Sequence, residues 1–482
     1  MIINGIIAKQ VDAAALKISQ ATSAIPVYLG QAPIWQTDDE NWADKAGETF
    51  IVKSIDDMKE KLGYCVPDSG TFSKYQSLSM VAKYHQDEEK IFPVIMVNNK
   101  AAITATSTAR CTVNFTKGIA KIAGSDTVLS SLKLTDGDST TYVKGTDYEA
   151  AYDEKGQNVV ISSSTLTTAE VDRDVVNTGN ISFSKDTYEE IDYIPQKTGF
   201  VPSALSAPLW DKETDTAGNT VMAKLAAIAE APIDKHYYAQ AFGQLEASTR
   251  TAALTEKEDF TSEKLRVCWP FVKIKSYIYP VSLVFSARRE TVDKRNDGIP
   301  YESASNEQIP ISFLCDKSGN QIKQLETEAD TLNANGICTM AFTTNMQWNT
   351  WGVCMANYSD DNRGNIPPNK LNDVAVQMMD FICNDFELRF GGIVHKPMSI
   401  RQANDIVESY GKTLNAYVSQ GMLIAGTISF EPSENSTADL AAGIFTYSIE
   451  ETNTPPAKAI IAKVTYDSDA LDNYFSTEEE EE

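Results

Sequence analysis

Hydrophobic residues fall along this chain in two rhythms, and the changes between them divide it. From Ile25 the run IPVYLG is continuously apolar and ends at Gly30, the pattern of a strand covered on both faces. FIVKS at 50–54 reads as a second short strand. Ser54 then caps a helix with Asp57 at the third position, and Gly63 stops it. Tyr75, Leu78, Val81 and Ala82 recur at helical spacing within 74–85, and the strand FPVIMVN follows at 92–98. Strands alternating with helices predict an α/β layer. The same layer resumes at Phe200, with an Ala-rich helix over 219–230 and strands near HYYAQ, RVCWPFV and VSLVF.

Between these halves the rhythm shortens. Residues 101–197 are rich in Thr, Ser, Asp and Val, and alternate in short pieces such as TYVKG, DYEAAYD and NVVISSS. Turn signals separate the pieces at close intervals, which predicts an inserted all-β unit. The helical period returns after 345. Leu371, Val374, Met378, Phe381, Ile382 and Phe386 form one stripe of a helix over roughly 370–389. Ser399 caps the next, in which Ile400, Ala403, Val407, Tyr410, Leu414, Tyr417 and Val418 repeat at spacings of three and four until Gly421. Strands around 422–430 and 444–449 then predict an antiparallel pair with a free edge.

Both ends carry detached, strand-like runs. IINGII at 2–7 is separated from the first domain by polar, Ala/Ser-rich sequence. At the other end AKAIIAKVTYD follows Pro455-Pro456 and has no hairpin mate. It alternates, with Ile461, Lys463 and Thr465 on one face and Ile460, Ala462, Val464 and Tyr466 on the other. An orphan strand needs a sheet edge, and that edge can belong to another copy. Five or six residues added to an edge make about four to six hydrogen bonds, each worth roughly 1 kcal/mol net. The candidate inter-subunit residues are therefore Ile2, Ile3, Ile6, Ile7, Ile460, Ile461, Ala462, Val464 and Tyr466. The expected division is an arm over 1–24, an α/β domain from 25–100 plus 198–345, the insertion over 101–197, a C-terminal domain over 346–457, and an arm with an acidic tail over 458–482.

Composition narrows the function. A net charge of −25 argues against a nucleic-acid or anionic-membrane binder. Eight of the acids sit in residues 467–482, which reads as a solvated, disordered end. Seven cysteines without CxxC spacing fit folding in reducing cytoplasm. No run of eighteen apolar residues spans a membrane, and the first residues lack the layout of a signal peptide. The three histidines, His85, His236 and His395, show no metal-ligand spacing, and neither a P-loop, a GxGxxG loop nor a GxSxG elbow occurs. The expectation is no catalytic, metal or cofactor site. Trp348 and Trp351 in QWNTWG read as a packed strand–turn corner, not a sugar platform.

Several blocks resemble, in order, the contractile tail sheath proteins of phage tails and R-type pyocin-like particles. They are IPVYLGQAP at 25–33, FIVKSIDDMKEKLG at 50–63, residues 75–97, the segment 286–310, LNANGI at 332–337, Trp351-Gly352 and Ser359-Asp360-Asp361. Val353-Cys354 stand where such proteins often carry Arg-Thr. The resemblance implies a multidomain α+β or α/β fold: an α/β sheath core, an inserted all-β domain and extended terminal strand arms. It further implies a non-enzymatic, cofactor-free subunit whose arms lock copies into stacked hexameric rings around an inner tail tube protein. Baseplate and tail terminator proteins would be further partners, with no nucleic acid and no membrane insertion. Assembly would take place in the bacterial host cytoplasm, in a virion tail or contractile particle that drives its tube through an envelope. By the same analogy Arg401, Asp405, Glu408 and Lys412 would face the tube. Two other readings stay open: a surface-layer or adhesin-like polymer, and an acidic cytoplasmic hydrolase.

Overall fold

A computed structural model describes residues 25–137, 140–233 and 237–476. Its centre is an eight-stranded sheet, in the spatial order Trp348–Trp351, Ile337–Phe342, Leu265–Cys268, Gln240–Gln244, Ala204–Ser206, Pro26–Gly30, Val94–Asn98, Thr49–Val52. The inner pairs are parallel and the two outermost pairs antiparallel. Strand residues alternate between two cores, as a two-unit side-chain period requires. Tyr28, Val94 and Met96 join the cluster under helices Ser77–Tyr84 and Val281–Arg295. Val27, Leu29, Ile95 and Val97 join the cluster under helices Glu190–Thr198 and Val221–Ala229. Helices thus cover both faces, which is why the inner strands read as unbroken apolar runs.

Both edges of this sheet are occupied. At one, the Thr350 amide donates to the Glu307 carbonyl (2.9 Å) and the Ile309 amide to the Trp348 carbonyl (2.9 Å). At the other, the Lys61 ammonium donates to the Ile51 carbonyl at 2.8 Å. A charged side chain or a covering segment on an edge prevents further pairing there.

Three expectations are corrected. VSLVF, read as a strand, is the start of helix Val281–Arg295. Residues 281–285 are all buried, so the apolar run has no face and no period to separate helix from strand. The stretch 101–197 is β only as far as Val176. Its strands form two three-stranded sheets around their own core, which includes Val113, Ile122, Leu134, Val159, Ile161 and Val171. Helix Glu190–Thr198 then packs Ile191 and Ile194 into the core of the main sheet. Strand Trp348–Trp351, assigned to the C-terminal domain, is hydrogen-bonded to Ile337–Phe342 and belongs to the main sheet.

A polar chain is sealed inside the first core. The Tyr28 hydroxyl lies 3.0 Å from Ser286 Oγ and 3.1 Å from His85 Nε2, and His85 Nδ1 lies 3.5 Å from Glu290 Oε2. All four residues are buried, and Glu290 also pairs with Lys294 at 2.6 Å. Burial pushes His85 down to about 3 and Glu290 up to about 8. The lowered histidine withholds stability as pH falls below its unfolded value near 6.5, and the raised glutamate withdraws it as pH climbs from about 4.5 to 8. Glu290→Gln should therefore flatten the loss of thermal stability between pH 6.5 and 8.5, a difference of order 2 kcal/mol read by calorimetry across pH. An unchanged slope would show that Glu290 is already ionised in the folded protein.

Candidate assembly surface

Helix Asp373–Phe390 begins at Asn372, whose side chain accepts from the Ala375 amide, and helix Ile400–Ser419 begins in a Ser399/Gln402 capping box. They pack through Val374, Met378, Phe381, Tyr410, Leu414 and Tyr417, and the Tyr410 hydroxyl donates to the Ile382 carbonyl at 3.1 Å. The apolar stripe differs from the expected one at two points: Ile406 is buried where Val407 is only half-buried, and Ile400 is exposed. Arg401, Asp405, Glu408 and Lys412 all lie exposed on the outer side, and Lys412 pairs with Glu408 at 2.6 Å.

Across this helix pair lies a two-stranded hairpin, Leu423–Ser429 with Ser448–Asn453, registered from Leu423↔Asn453 to Ser429↔Ser448. The second strand lies four residues beyond its expected start, because the short helix Thr437–Ala441 and a loop fill the connection. Gly426 faces Leu414, and a Cβ there would sit 3.2 Å from that side chain, so the strand rests directly on the helix. On the inner face burial lifts the Glu451 carboxyl to about 7, beside Met379, Ile382 and Phe386. Among the described residues neither outer edge of the hairpin has a ladder partner. A lone two-stranded hairpin is marginal in water and gains from added strands.

The segment that could supply one leaves from the same place. Residues 455–467 make no ladder with any of the described residues. Ile460 is 91% exposed, Ile461 83%, Val464 94% and Tyr466 75%, and Ala462 is exposed as well. Both faces of this would-be strand are therefore uncovered. Ile2, Ile3, Ile6 and Ile7 lie outside the described residues. The tail contradicts expectation at its start: Ser468–Ser476 is helical. Leu471, Tyr474 and Phe475 fall at i, i+3 and i+4, a signal present in the sequence but masked by the surrounding acids.

The arm is pinned at its root. Lys458 Nζ stands over the Tyr358 ring, 4.4 Å from its centre, donates to the Tyr358 hydroxyl at 2.8 Å and pairs with Asp360 at 3.3 Å. The Tyr358 hydroxyl, then Lys458, hold the Asp360 carboxyl below the usual range. The Asp360 amide in turn donates to the Ala334 carbonyl at 2.8 Å. The short blocks LNANGI, Trp351-Gly352 and Ser359-Asp360-Asp361 thus meet around the root of the arm, where they line a cleft of about 820 Å³. Gly352 is required there. Its φ is +142°, and a Cβ would stand 2.9 Å from the Cys338 Cα and 2.8 Å from Asn333 Oδ1. Gly352→Ala should cost roughly 2 kcal/mol or more, measured by denaturant unfolding. A neutral result would mean the loop shifts freely.

Buried links fix this platform to the central sheet. Arg266 pairs with Asp373 at 2.9 Å, donates to the Gly352 carbonyl at 2.7 Å, and lies between the rings of Phe242 and Phe285. Lys264 pairs with Asp380. The Tyr238 amide donates to Asn384 Oδ1 (2.8 Å), and Asn384 Nδ2 returns a bond to the Tyr238 carbonyl (2.9 Å). Sequence reasoning found neither these pairs nor Lys458, because partners a hundred residues apart leave no local pattern. Among the described residues no cluster of His, Cys, Asp or Glu is set to hold a metal ion, and no helix is long and apolar enough to cross a membrane.

No family model and no curated protein matches the sequence. Solved structures do. A chain of the anti-feeding prophage (AFP) baseplate matches with a TM-score of 0.56 at 13% identity, over 97% of this chain and 99% of that one. The AFP helical sheath in its contracted state matches with 0.56 at 13% identity, over 97% and 100%. The sheath complex of an extracellular contractile injection system, PVC, also contracted, matches with 0.56 at 12% identity, over 98% and 99%. These neighbours belong to sheath and baseplate assemblies and not to enzymes, and the match runs nearly end to end: this chain has the fold of the sheath proteins of contractile injection systems.

Proposed function

We propose that this protein is the structural subunit of a contractile sheath, in a phage tail or related particle, which polymerises around an inner tube by exchanging strands between copies. The observation that carries this reading is a pair of unmet needs on one chain. The arm around Ile460–Tyr466 is apolar, exposed and unpaired, and the hairpin Leu423–Ser429/Ser448–Asn453 has open outer edges. A strand donated by a neighbour satisfies both at once. The bond strength per arm is modest, but each copy gives and receives, so the lattice holds by multiplicity. The sheath fold supports stacked rings and contraction as the context, with hydrophobic arms acting as tethers while the domains reorient as rigid bodies. The N-terminal run with Ile2, Ile3, Ile6 and Ile7 would be a second lent strand. Arg401, Asp405, Glu408 and Lys412 would meet the tube, with baseplate and terminator proteins at the two ends.

Electron microscopy of the purified chain should show hollow, helically striated cylinders. Removing residues 1–8 or 458–482 should leave soluble monomers. Normal cylinders from both truncated chains would refute strand exchange.

A further inference from the structure

Three neighbouring strands of the central sheet start level with one another. Pro26 is in register with Ala204, and Ala204 with Gln240. The Ser203 amide donates to the Ile25 carbonyl at 3.3 Å and the Gln240 amide to the Ser203 carbonyl at 3.1 Å, so the row continues one residue further. Ile25 and Ala239 are therefore two strand spacings apart, about 10 Å. Residues 1–24 lie outside the described residues, and Ile25 is where they join the sheet.

A trough opens at the same end of the sheet. The paired bonds between Tyr238 and Asn384 hold that end against helix Asp373–Phe390. Between the helix and strand Ser448–Asn453 lies a hollow of about 290 Å³, lined by Tyr238, Met379, Cys383, Phe386, Ile449 and Glu451 among others. Its lining is mostly apolar and includes no base. Glu387 at its rim already has a partner. Glu451 Oε2, in contrast, is sealed from water and has no hydrogen-bond partner among the described residues. A buried carboxylate oxygen without a donor is costly, so a cation is wanted at that point. The adjoining hollow has no such need, because Lys264 pairs with Asp380 and Lys370 with Glu263 at 2.6 Å.

Reach and composition name the occupant. From Met379 to Glu387 the helix advances about 12 Å. With the step from Ile25 to the trough this makes about 22 Å, which roughly seven extended residues cover. The stretch before Ile25 reads LKISQATSA over 16–24. Leu16 and Ile18 are its large aliphatic residues, and Lys17 between them is its one charge. In an extended chain Leu16 and Ile18 point to one wall of a trough and Lys17 to the other. The helix offers an apolar wall in Met379 and Phe386, and the strand offers the unanswered Glu451.

We propose that residues 16–24 dock in this trough of their own copy, with Leu16 and Ile18 laid on Met379 and Phe386 and the Lys17 ammonium brought to Glu451. The docking goes beyond strand exchange and does not depend on it. It covers an apolar surface of the single chain and fixes the place from which residues 1–15 depart, beside the hairpin.

Cys383 is exposed in the trough and serves as the probe. In the full chain carrying Gln20→Cys, kept too dilute to polymerise, diamide should join the introduced thiol to Cys383 within one copy. The link is read as a faster band on a non-reducing gel and as a joined peptide by mass spectrometry. Its rate should not change with protein concentration, and Cys383→Ser should abolish it. Leu16→Asp with Ile18→Asp should slow it about tenfold, the loss expected when two aliphatic side chains fail to bury. Lys17→Glu should slow it about threefold, and Glu451→Lys added to that variant should restore it. No link to Cys383, or a link that forms only between copies and rises with concentration, overturns the docking. A rate untouched by the two aspartates marks chance encounters along a tether and overturns it too. A rate untouched by Lys17→Glu overturns the contact with Glu451. Polymerisation does not enter the measurement, so strand exchange stands or falls separately.

Discussion

Arg266→Ala should lower folding stability by about 3–5 kcal/mol, the largest effect of any single change considered. The guanidinium and its partner Asp373 are both fully buried, 2.9 Å apart. Removing the cation leaves the Asp373 carboxylate in a low-dielectric interior, with the Ser303 hydroxyl (2.6 Å) and the Val374 amide (2.9 Å) as its remaining support. It also frees the Gly352 carbonyl and empties the space between Phe242 and Phe285. Urea unfolding should show the C-terminal helices losing order before or with the main sheet, since this pair bridges them. Arg266→Met with Asp373→Leu should recover much of the loss, because removing both charges restores an apolar contact where removing one creates an orphan. A single variant within 1 kcal/mol of wild type would mean that water reaches the site.

The second large effect concerns assembly and leaves the monomer untouched. Proline at Ile461 and Val464 removes two backbone donors from the arm and fixes its φ. Both side chains are more than 80% exposed, so monomer melting should not move. Polymerisation should nevertheless be lost, because the lent strand can no longer complete a ladder. Ile461→Thr with Val464→Thr keeps the donors and the β-branched shape and serves as the control. It should assemble, at higher concentration. Proline variants that form normal cylinders would show that the arm binds by side chains alone, or not at all.

The parts readable from sequence were those with a visible face. Caps at Ser54 and Ser399 stand where expected, and the helix pair after Asn372 follows its stripe to within a few residues. Periodicity failed where burial is complete. The run 281–285 has no polar side, so length and neighbours, not pattern, decide that it is helical. Residues 178–197 fall within the expected β insertion by their polar composition, although Ile191 and Ile194 keep a helical spacing. The alternation of the arm is visible in the sequence alone, and the structure leaves Ile460, Ile461, Val464 and Tyr466 exposed. The clamp of Lys458 on Tyr358 and Asp360 is not visible there, because it depends on two loops meeting. The resemblance blocks pointed to the right neighbourhood without revealing what they do there. Gly352 and Asp360 serve the packing around the arm root.

The covered edges of the central sheet have a further consequence. With Lys61 at one border and the 306–309 segment at the other, the central sheet is covered at both edges, whereas the hairpin Leu423–Ser429/Ser448–Asn453 has no further ladder partner among the described residues. In the proposed exchange donor and host would be different surfaces of one molecule, so a loan that runs one way from copy to copy, and is not returned, would make each junction head-to-tail. Any column built this way is a vector. One terminus shows vacant hairpins, the opposite one dangling arms, and a nucleating or capping factor can tell them apart by that difference alone.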